Sequence, residues 1–430
     1  MAPPEWSLFP PEKLCMNLQP GQSIGAGLYN MGNTCFLNSV LQCLTHTPPL
    51  ANYLLSREHG QSCLQRGFCM MCRMEAHADM VLHSSGKVLK PLAFINVLSL
   101  IGEQFQWGRQ EDAHEFLRSA VDAMQKVCLR GISHLDAASE ETTIVHQIFG
   151  GQMRSRVTCL SCNAVSDSYE AFLDVSLDIK AASSVTTALK HFVKPEHLDG
   201  ENCFHCSRCD KLAAASKRLT VHRAPRVLTV CLKRFDAFTG RKICKAVGYP
   251  ERLDLGPYMS ETPAEPLRYT LYAVLVHAGS TCDVGHYFCY TKAGNGQWYR
   301  MDDESVNPCG INTVHRQQAY LLFYVRSSDL KTAERASSSI TASSVPSFFK
   351  LWQSGTQQAG SAGAQGLPPH TETSEEKEES KSSTLWRSPK EKSSFRALQD
   401  QLQGDSHIQG GQEETSAEAV REEQLCSAGL

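Results

Sequence analysis

The chain has 430 residues, 41% of them hydrophobic, and a formal charge of −3. That is enough apolar material for a sizeable core, and too little charge imbalance to point to nucleic acid or a membrane surface. No stretch approaches the ~20 apolar residues of a membrane-spanning helix, and the opening Met-Ala-Pro-Pro-Glu-Trp lacks the basic flank and apolar run of a secretory signal. A reducing compartment is therefore expected, and the 18 cysteines read as thiols and metal ligands rather than disulfides.

Residues 1–23 contain five prolines and little periodicity, and read as an irregular arm. Patterning begins near Ile24. Phe36, Leu37, Val40, Leu41 and Leu44 form a helical stripe that Pro48-Pro49 ends. Phe116, Leu117, Ala120, Val121 and Met124 predict a second helix closing near Gly131. From about Arg226 the pattern changes to short runs of β-branched and aromatic residues: 227–232, 269–276, 287–291 and 319–325 read as strands. Helices early and strands late predict an α+β fold whose helical and sheet lobes can meet at a cleft. From residue 327 to 430 the chain is rich in Ser, Thr, Glu, Gln and Gly, with 10 basic and 15 acidic residues and one cysteine, Cys426. This segment reads as a disordered polar tail, with 348–352 as its one apolar island.

Gly32 and Asn33 supply turn chemistry just before the first stripe, and Asn33 or Thr34 can cap its helix. Cys35 then stands in the first helical turn, where the macrodipole and free N–H groups favour the thiolate. Asn30 lies on the approach and can offer an amide to an oxyanion. A lone cysteine is more often structural, so the reading needs a base. His286 provides one. It follows a glycine-bracketed polar loop and precedes a strand, the turn 293–296 and a second strand ending in Asp302-Asp303-Glu304. As a hairpin, this brings the acidic run to His286, where a carboxylate can hold the imidazole in one tautomer. A turn centred on Gly294 or on Asn295 fits equally well, so spacing does not choose between Asp302 and Asp303.

Cys159-x-x-Cys162 and Cys206-x-x-Cys209 form two knuckles suited to tetrahedral zinc, with Cys203 as a spare at the same local spacing. A strand at 172–179 and a helix at 186–193 are predicted between them. Cys63, Cys69, Cys72 and His77 form a more local set whose apolar surroundings equally suit core packing.

These boxes closely resemble the ubiquitin-specific protease family of deubiquitinases, nearest its short mammalian cytokine-inducible subgroup. The segments that match are 25–42, 110–117, 232–235, 277–290 and 319–324, within about 24–326. The resemblance implies a catalytic domain over 24–326, papain-like, with thumb, palm and zinc-ribbon fingers, the fingers insertion spanning about 155–215. It assigns Cys35 as nucleophile, His286 as base, Asp302 as the orienting acid, Asp303 as an assisting neighbour and Asn30 as the oxyanion asparagine. It places Asp112, Glu115 and Tyr287 against the basic tail of ubiquitin, loop 277–285 beside the cleft, and structural zinc on Cys159, Cys162, Cys206 and Cys209. The expected partners are ubiquitin and ubiquitinated proteins, acted on by a monomer without nucleic acid or a membrane span. The expected location is intracellular, in nucleus or cytoplasm, with the endoplasmic reticulum surface also open. Two other readings remain: a catalytically weak ubiquitin-binding protein, and a peptidase for another modifier ending in diglycine.

Overall fold

The computed structural model describes residues 7–18, 22–130, 137–236, 241–281 and 284–327. The predicted tail from 328 onward, with its island at 348–352, lies outside the described residues, as do Cys282 and Asp283 of the loop beside the cleft.

The centre of the sheet is built from the runs picked out by their β-branched and aromatic content. Its strands lie in the order Ser305–Cys309, Trp298–Asp302, His286–Lys292, Arg268–Ala278, Ala319–Arg326, Val227–Lys233 and Val175–Asp178, with Arg252–Asp254 paired to the far part of Arg268–Ala278. All neighbours are antiparallel except Val227–Lys233 with Val175–Asp178. The central strands read as unbroken apolar runs because both faces are covered. Along Ala319–Arg326, Leu321, Phe323 and Val325 point into one core and Leu322 and Tyr324 into the other.

The first core is shared with the helices. Cys35–Thr45 is buried along its whole length and lies against strands Arg268–Ala278 and His286–Lys292. The long helix Ala113–Cys128 and the helix Met70–Leu82 pack behind it. Pro48-Pro49 ends the first helix as predicted but also opens the next, Pro48–Ser56, proline being tolerated in a first turn. The N-terminal arm contributes Phe9 and Met16 to this core, so part of it is packed.

A separate antiparallel sheet, in the order Val165–Phe172, Gly151–Cys159, Ala215–Arg223 and Glu196–Leu198, forms the insertion. The helix predicted there is Val185–Phe192, and the predicted strand is confined to Val175–Asp178. Among the described cysteines, Cys244 is disulfide-bonded and the others are free thiols. The all-thiol expectation fails at that position, because close approach of two sulfurs, which compartment statistics do not carry, decides whether they bond. Among the described residues no helix is long and apolar enough to cross a membrane.

The helical side is fastened to the sheet by a buried ion pair. His114 Nε2 meets Asp174 Oδ2 at 2.9 Å, both side chains largely buried. Burial alone would lower the His114 pKa, but the Cys231 and Asp174 side chains overcome it and hold the value well above normal. Asp174 is held below its ordinary value against its own burial by His114 and then Arg118. The depressed carboxylate contributes stability that is present above about pH 4 and lost as pH falls through the lowered value; the raised imidazole contributes stability present below about pH 6.5 and lost as pH rises through the raised one. Asp174→Ala takes the carboxylate from a buried imidazolium. It is expected to cost about 3 kcal/mol, read as a lower midpoint in urea at neutral pH. No loss there would show that the pair is not a fastening.

Candidate active site

The loop before Cys35 is shaped by asparagines. Asn30 Oδ1 accepts from the Gly32 and Thr34 amides at 3.1 and 3.3 Å, folding 30–34 into a tight turn. Asn33 adopts φ 55° and donates its side-chain amide to Gly108 O at 2.8 Å. The helix then starts at Cys35. Neither predicted cap is used. Asn33 points to Gly108, and Thr34, at the N-cap position, spends its hydroxyl accepting from the Met31 amide at 2.9 Å. The first-turn amides beside Cys35 therefore have no side-chain cap and can face a developing oxyanion.

His286 is the first residue of its strand and meets Asp302, the last residue of the neighbouring strand, Nε2 to Oδ1 at 2.6 Å. The observed pairs Cys289↔Met301 and Lys292↔Trp298 centre the hairpin on Asn295. That register sets Phe288, not His286, opposite Asp302, so the histidine and the acid are diagonal neighbours on one face. Side chains of this length bridge such a diagonal. The other oxygen of Asp302 accepts from Arg300 at 2.7 Å. The Arg300 guanidinium lies 4.6 Å from the centroid of the Phe288 ring. Hydrogen bonding to Asp302, and then to Cys35, pushes His286 up to about 10 despite its partial burial. With Nε2 on Asp302, Nδ1 is the ring nitrogen left for the cysteine. Asp302 is held below its ordinary value, first by His286 and then by Arg300.

Asp303 takes a different part. It has φ 49°, a conformation that costs a non-glycine residue on the order of 1 kcal/mol, and its carboxylate stays within 4.8 Å of the His286 and Asp302 polar atoms without bonding the imidazole. Its carboxylate accepts from Asn30 Nδ2 and Asn38 Nδ2, both at 2.8 Å. Its carbonyl accepts from the Leu28 amide at 2.8 Å. Burial raises its pKa against these donors. Glu304 accepts from the Asn30 amide at 3.0 Å, and its carbonyl approaches Gly27 so closely that a Cβ there would sit 2.3 Å away. The turn after Trp298–Asp302 thus holds the approach to Cys35. Asn30 Nδ2 has a second proton beyond the one given to Asp303.

The motif around residue 110 closes the other wall. Asp112 caps Ala113–Cys128, accepting from the His114 and Glu115 amides at 2.8 and 3.0 Å. Its second oxygen accepts from Tyr320 at 2.7 Å and, more distantly, from Tyr287 at 3.4 Å. Glu115 is exposed beside it, its pKa raised by partial burial and the Asp112 charge. Gln110 accepts from the Gly285 amide at 2.9 Å, linking this wall to the residue before His286. Asn38, Arg300 and Gln110 are site residues that sequence reasoning did not single out for these contacts. Asn38 lies three residues after Cys35 on its helix, the spacing of a same-face neighbour, and that was its only signal.

Gly285 also sits over a buried histidine. A Cβ there would lie 2.2 Å from His277 Nε2 and 2.5 Å from the Ala278 carbonyl. Gly285→Ala must push out either the strand or the imidazole. A displacement of about 1 Å at His286 is enough for a loss on the order of 100-fold in kcat/KM, read with a ubiquitin C-terminal reporter; wild-type turnover would show that the loop yields without moving His286.

In the insertion, the sulfurs of Cys159, Cys162, Cys206 and Cys209 lie within 4.8 Å of one another, and Cys203 is not among them. Cys162 and Cys206 are 3.6 Å apart, Cys159 and Cys209 4.0 Å. The Cys162 and Ser161 amides donate to Cys159, and those of Cys209 and Arg208 to Cys206. Asn163 and Asp210 follow the two knuckles in equivalent left-handed conformations. Four thiols cradled in this way fit structural zinc.

The ubiquitin carboxyl-terminal hydrolase family model matches residues 26–324. Over 331 residues the chain is 57% identical to ubiquitin carboxyl-terminal hydrolase 42 of Homo sapiens, covering 77% of this chain and 25% of that protein. Over 341 residues it is 51% identical to ubiquitin carboxyl-terminal hydrolase 17 of Homo sapiens, covering 79% and 63%. The chain therefore spans less than two thirds of these relatives' own lengths. Among solved structures it resembles the SAGA Ubp8/Sgf11/Sus1/Sgf73 DUB module bound to ubiquitin aldehyde, with a TM-score of 0.64, 28% identity and coverage of 73% of this chain and 72% of that one.

Proposed function

The chain belongs to the ubiquitin carboxyl-terminal hydrolase family, and from that premise we propose that it is a thiol-dependent deubiquitinating peptidase that cleaves isopeptide and peptide bonds after the C-terminal glycine of ubiquitin. The observation that carries the reading is the 2.6 Å contact between His286 and Asp302, with Cys35 near enough to help raise the imidazole's pKa.

In the proposed reaction, the Cys35 thiolate attacks the carbonyl carbon of the last glycine. The oxygen becomes an oxyanion facing the uncapped first-turn amides and the second amide proton of Asn30. The tetrahedral species collapses as His286 passes its proton to the departing lysine amine, leaving a thioester on Cys35. His286, now neutral, takes a proton from water. The resulting hydroxide attacks the thioester, and ubiquitin leaves with a free carboxylate as the thiolate–imidazolium pair re-forms. Asp302 holds the ring and its charge. Asp303 acts on the reaction through Asn30 and Asn38, as a positioning residue. Asp112, Glu115 and Tyr287 lie on the side where an extended basic tail would pass, and a diglycine end would bring no side chains to Cys35.

Ubiquitin and the other diglycine-ending modifiers, each carrying a C-terminal electrophile, test the substrate class. Ubiquitin is expected to label Cys35, located by mass spectrometry. Labelling by a different modifier alone would replace the substrate, and labelling by none would favour the binding-only reading. In the knuckle cluster, zinc would supply folding energy and no reaction chemistry. Cys206→Ser is expected to remove one zinc ion per chain and lower the melting temperature; an unchanged metal content would sink that assignment. We further propose that the protein acts as a monomer on ubiquitinated proteins inside the cell.

A further inference from the structure

The helical side carries a second group of sulfur and imidazole ligands, far from anything the reaction uses. The sequence grouping of Cys63, Cys69 and Cys72 with His77 needs correcting. His77 is buried edge-on against Phe94, its centroid 5.1 Å away, whereas the histidine that joins the three cysteines is His59. Its Nε2 lies 3.2 Å from Cys69 Sγ, and Cys63 Sγ lies 3.8 Å from Cys69 Sγ. All four ligand atoms fall within 4.8 Å of one another. With zinc–sulfur bonds of about 2.3 Å, the edge of a tetrahedral site is about 3.8 Å. We propose that His59, Cys63, Cys69 and Cys72 bind a second structural zinc ion, in a site of three thiolates and one imidazole.

The surroundings are built for thiolates. Cys69 is the N-cap of Met70–Leu82 and accepts from the Cys72 amide at 3.4 Å, so both sulfurs sit at the positive end of a thirteen-residue helix. The Gln65 amide donates to Cys63. These bonds parallel the amide-to-sulfur bonds of the knuckles in the insertion. Behind the imidazole, Glu75 accepts from the His59 amide at 3.1 Å. A Cβ on Gly60 would stand 2.5 Å from the same carboxylate, so the backbone bearing His59 is held close.

Packing does not account for this order. From Ser56 to Phe68 no residue is buried, and Leu64 is 96% exposed. A segment with so little apolar anchorage still directs an imidazole and a sulfur to one point beside two more. A metal supplies the missing folding energy in such segments. The helix that starts here ends near Val81, whose carbonyl accepts from the Ala26 amide at 3.0 Å. The site thus secures one end of a helix whose other end holds the strand leading to Asn30.

The test is zinc content of the full-length chain, prepared in zinc-replete medium and measured by plasma mass spectrometry. Two ions per chain are expected, one in Cys63→Ser/Cys69→Ser, one in Cys159→Ser/Cys162→Ser, and none when all four changes are combined. A parent that holds only one ion, and keeps it in Cys63→Ser/Cys69→Ser, overturns the proposal, as does a zinc-free parent with Cys63 and Cys69 joined in a disulfide. If Cys63→Ser/Cys69→Ser does not fold, cobalt loaded into Cys159→Ser/Cys162→Ser decides. Adding His59→Cys to that variant turns three sulfur ligands into four and is expected to raise the sulfur-to-cobalt charge-transfer band by about a third. An unchanged band overturns the proposal.

Discussion

Replacing Cys35 with alanine will lower kcat for a ubiquitin C-terminal reporter by roughly a million-fold, the scale on which an enzyme loses its nucleophile. The geometry explains why no neighbour compensates. Cys43 and Cys289 are the sulfurs nearest in the fold's logic, yet both are fully buried, and burial followed by contact with Cys43 holds the Cys289 thiol well above its normal pKa. Neither offers a thiolate to a carbonyl in the cleft. Removing the sulfur of Cys35 takes away no charge from the walls at Asp112 and Glu115, and alanine keeps the helix. Ubiquitin affinity, measured by calorimetry, should therefore stay within about threefold of the parent. A parent that binds ubiquitin but turns over no faster than the variant would establish a receptor instead of a hydrolase, and the triad geometry would then need another use.

The legibility of this site differs residue by residue, for physical reasons. Cys35 stood out because a turn feeding a helix stripe is a local pattern, and local patterns survive in sequence. The strands at 227–232, 269–276, 287–291 and 319–325 were legible to within a residue or two because β-branched and aromatic runs between turn residues have few other uses, whereas those of the insertion at 151–159, 165–172 and 215–223 were not read. The choice between Asp302 and Asp303 was not legible from spacing. It rests on a register that moves by one residue with the turn, and the observed centre at Asn295 is one of the two that fitted. Parity could have narrowed it. Moving the centre by one residue shifts the partner sum by two, so under either centre 302 and 304 share the face of 286 while 303 does not. The capping expectation failed because Asn33 and Thr34 have partners outside the helix, Gly108 and Met31, that only the folded loop brings near. His77 was grouped with the cysteines by proximity in sequence. His59, on the other side of Cys63, reaches them because the short helix Glu58–Ser62 turns back onto the start of Met70–Leu82. The four-cysteine cluster was the easiest to read, since Cys-x-x-Cys followed by a left-handed residue is a complete local unit.

Asp302→Asn will lower kcat/KM by roughly 10³- to 10⁴-fold, the range expected when the group orienting a catalytic histidine loses its charge but keeps its shape. The change should also move the pH profile, and its direction follows from the charges. His286 is held up to about 10 chiefly by Asp302, so the imidazolium needed beside the thiolate persists through neutral pH and is lost only as pH rises through that value. Without the carboxylate the imidazole falls back toward the ordinary histidine value of about 6.5. The alkaline limb of kcat/KM must then move to lower pH, with Cys35 alone left to hold the imidazolium. Asp303→Asn gives the contrast. Asp303 is bonded to Asn30 and Asn38 and not to His286, so its loss should reduce the rate through a looser oxyanion loop while leaving the alkaline limb in place. Equal shifts of that limb in the two variants would mean that both carboxylates share the imidazolium, and the division of labour drawn from their different hydrogen-bond partners would be wrong.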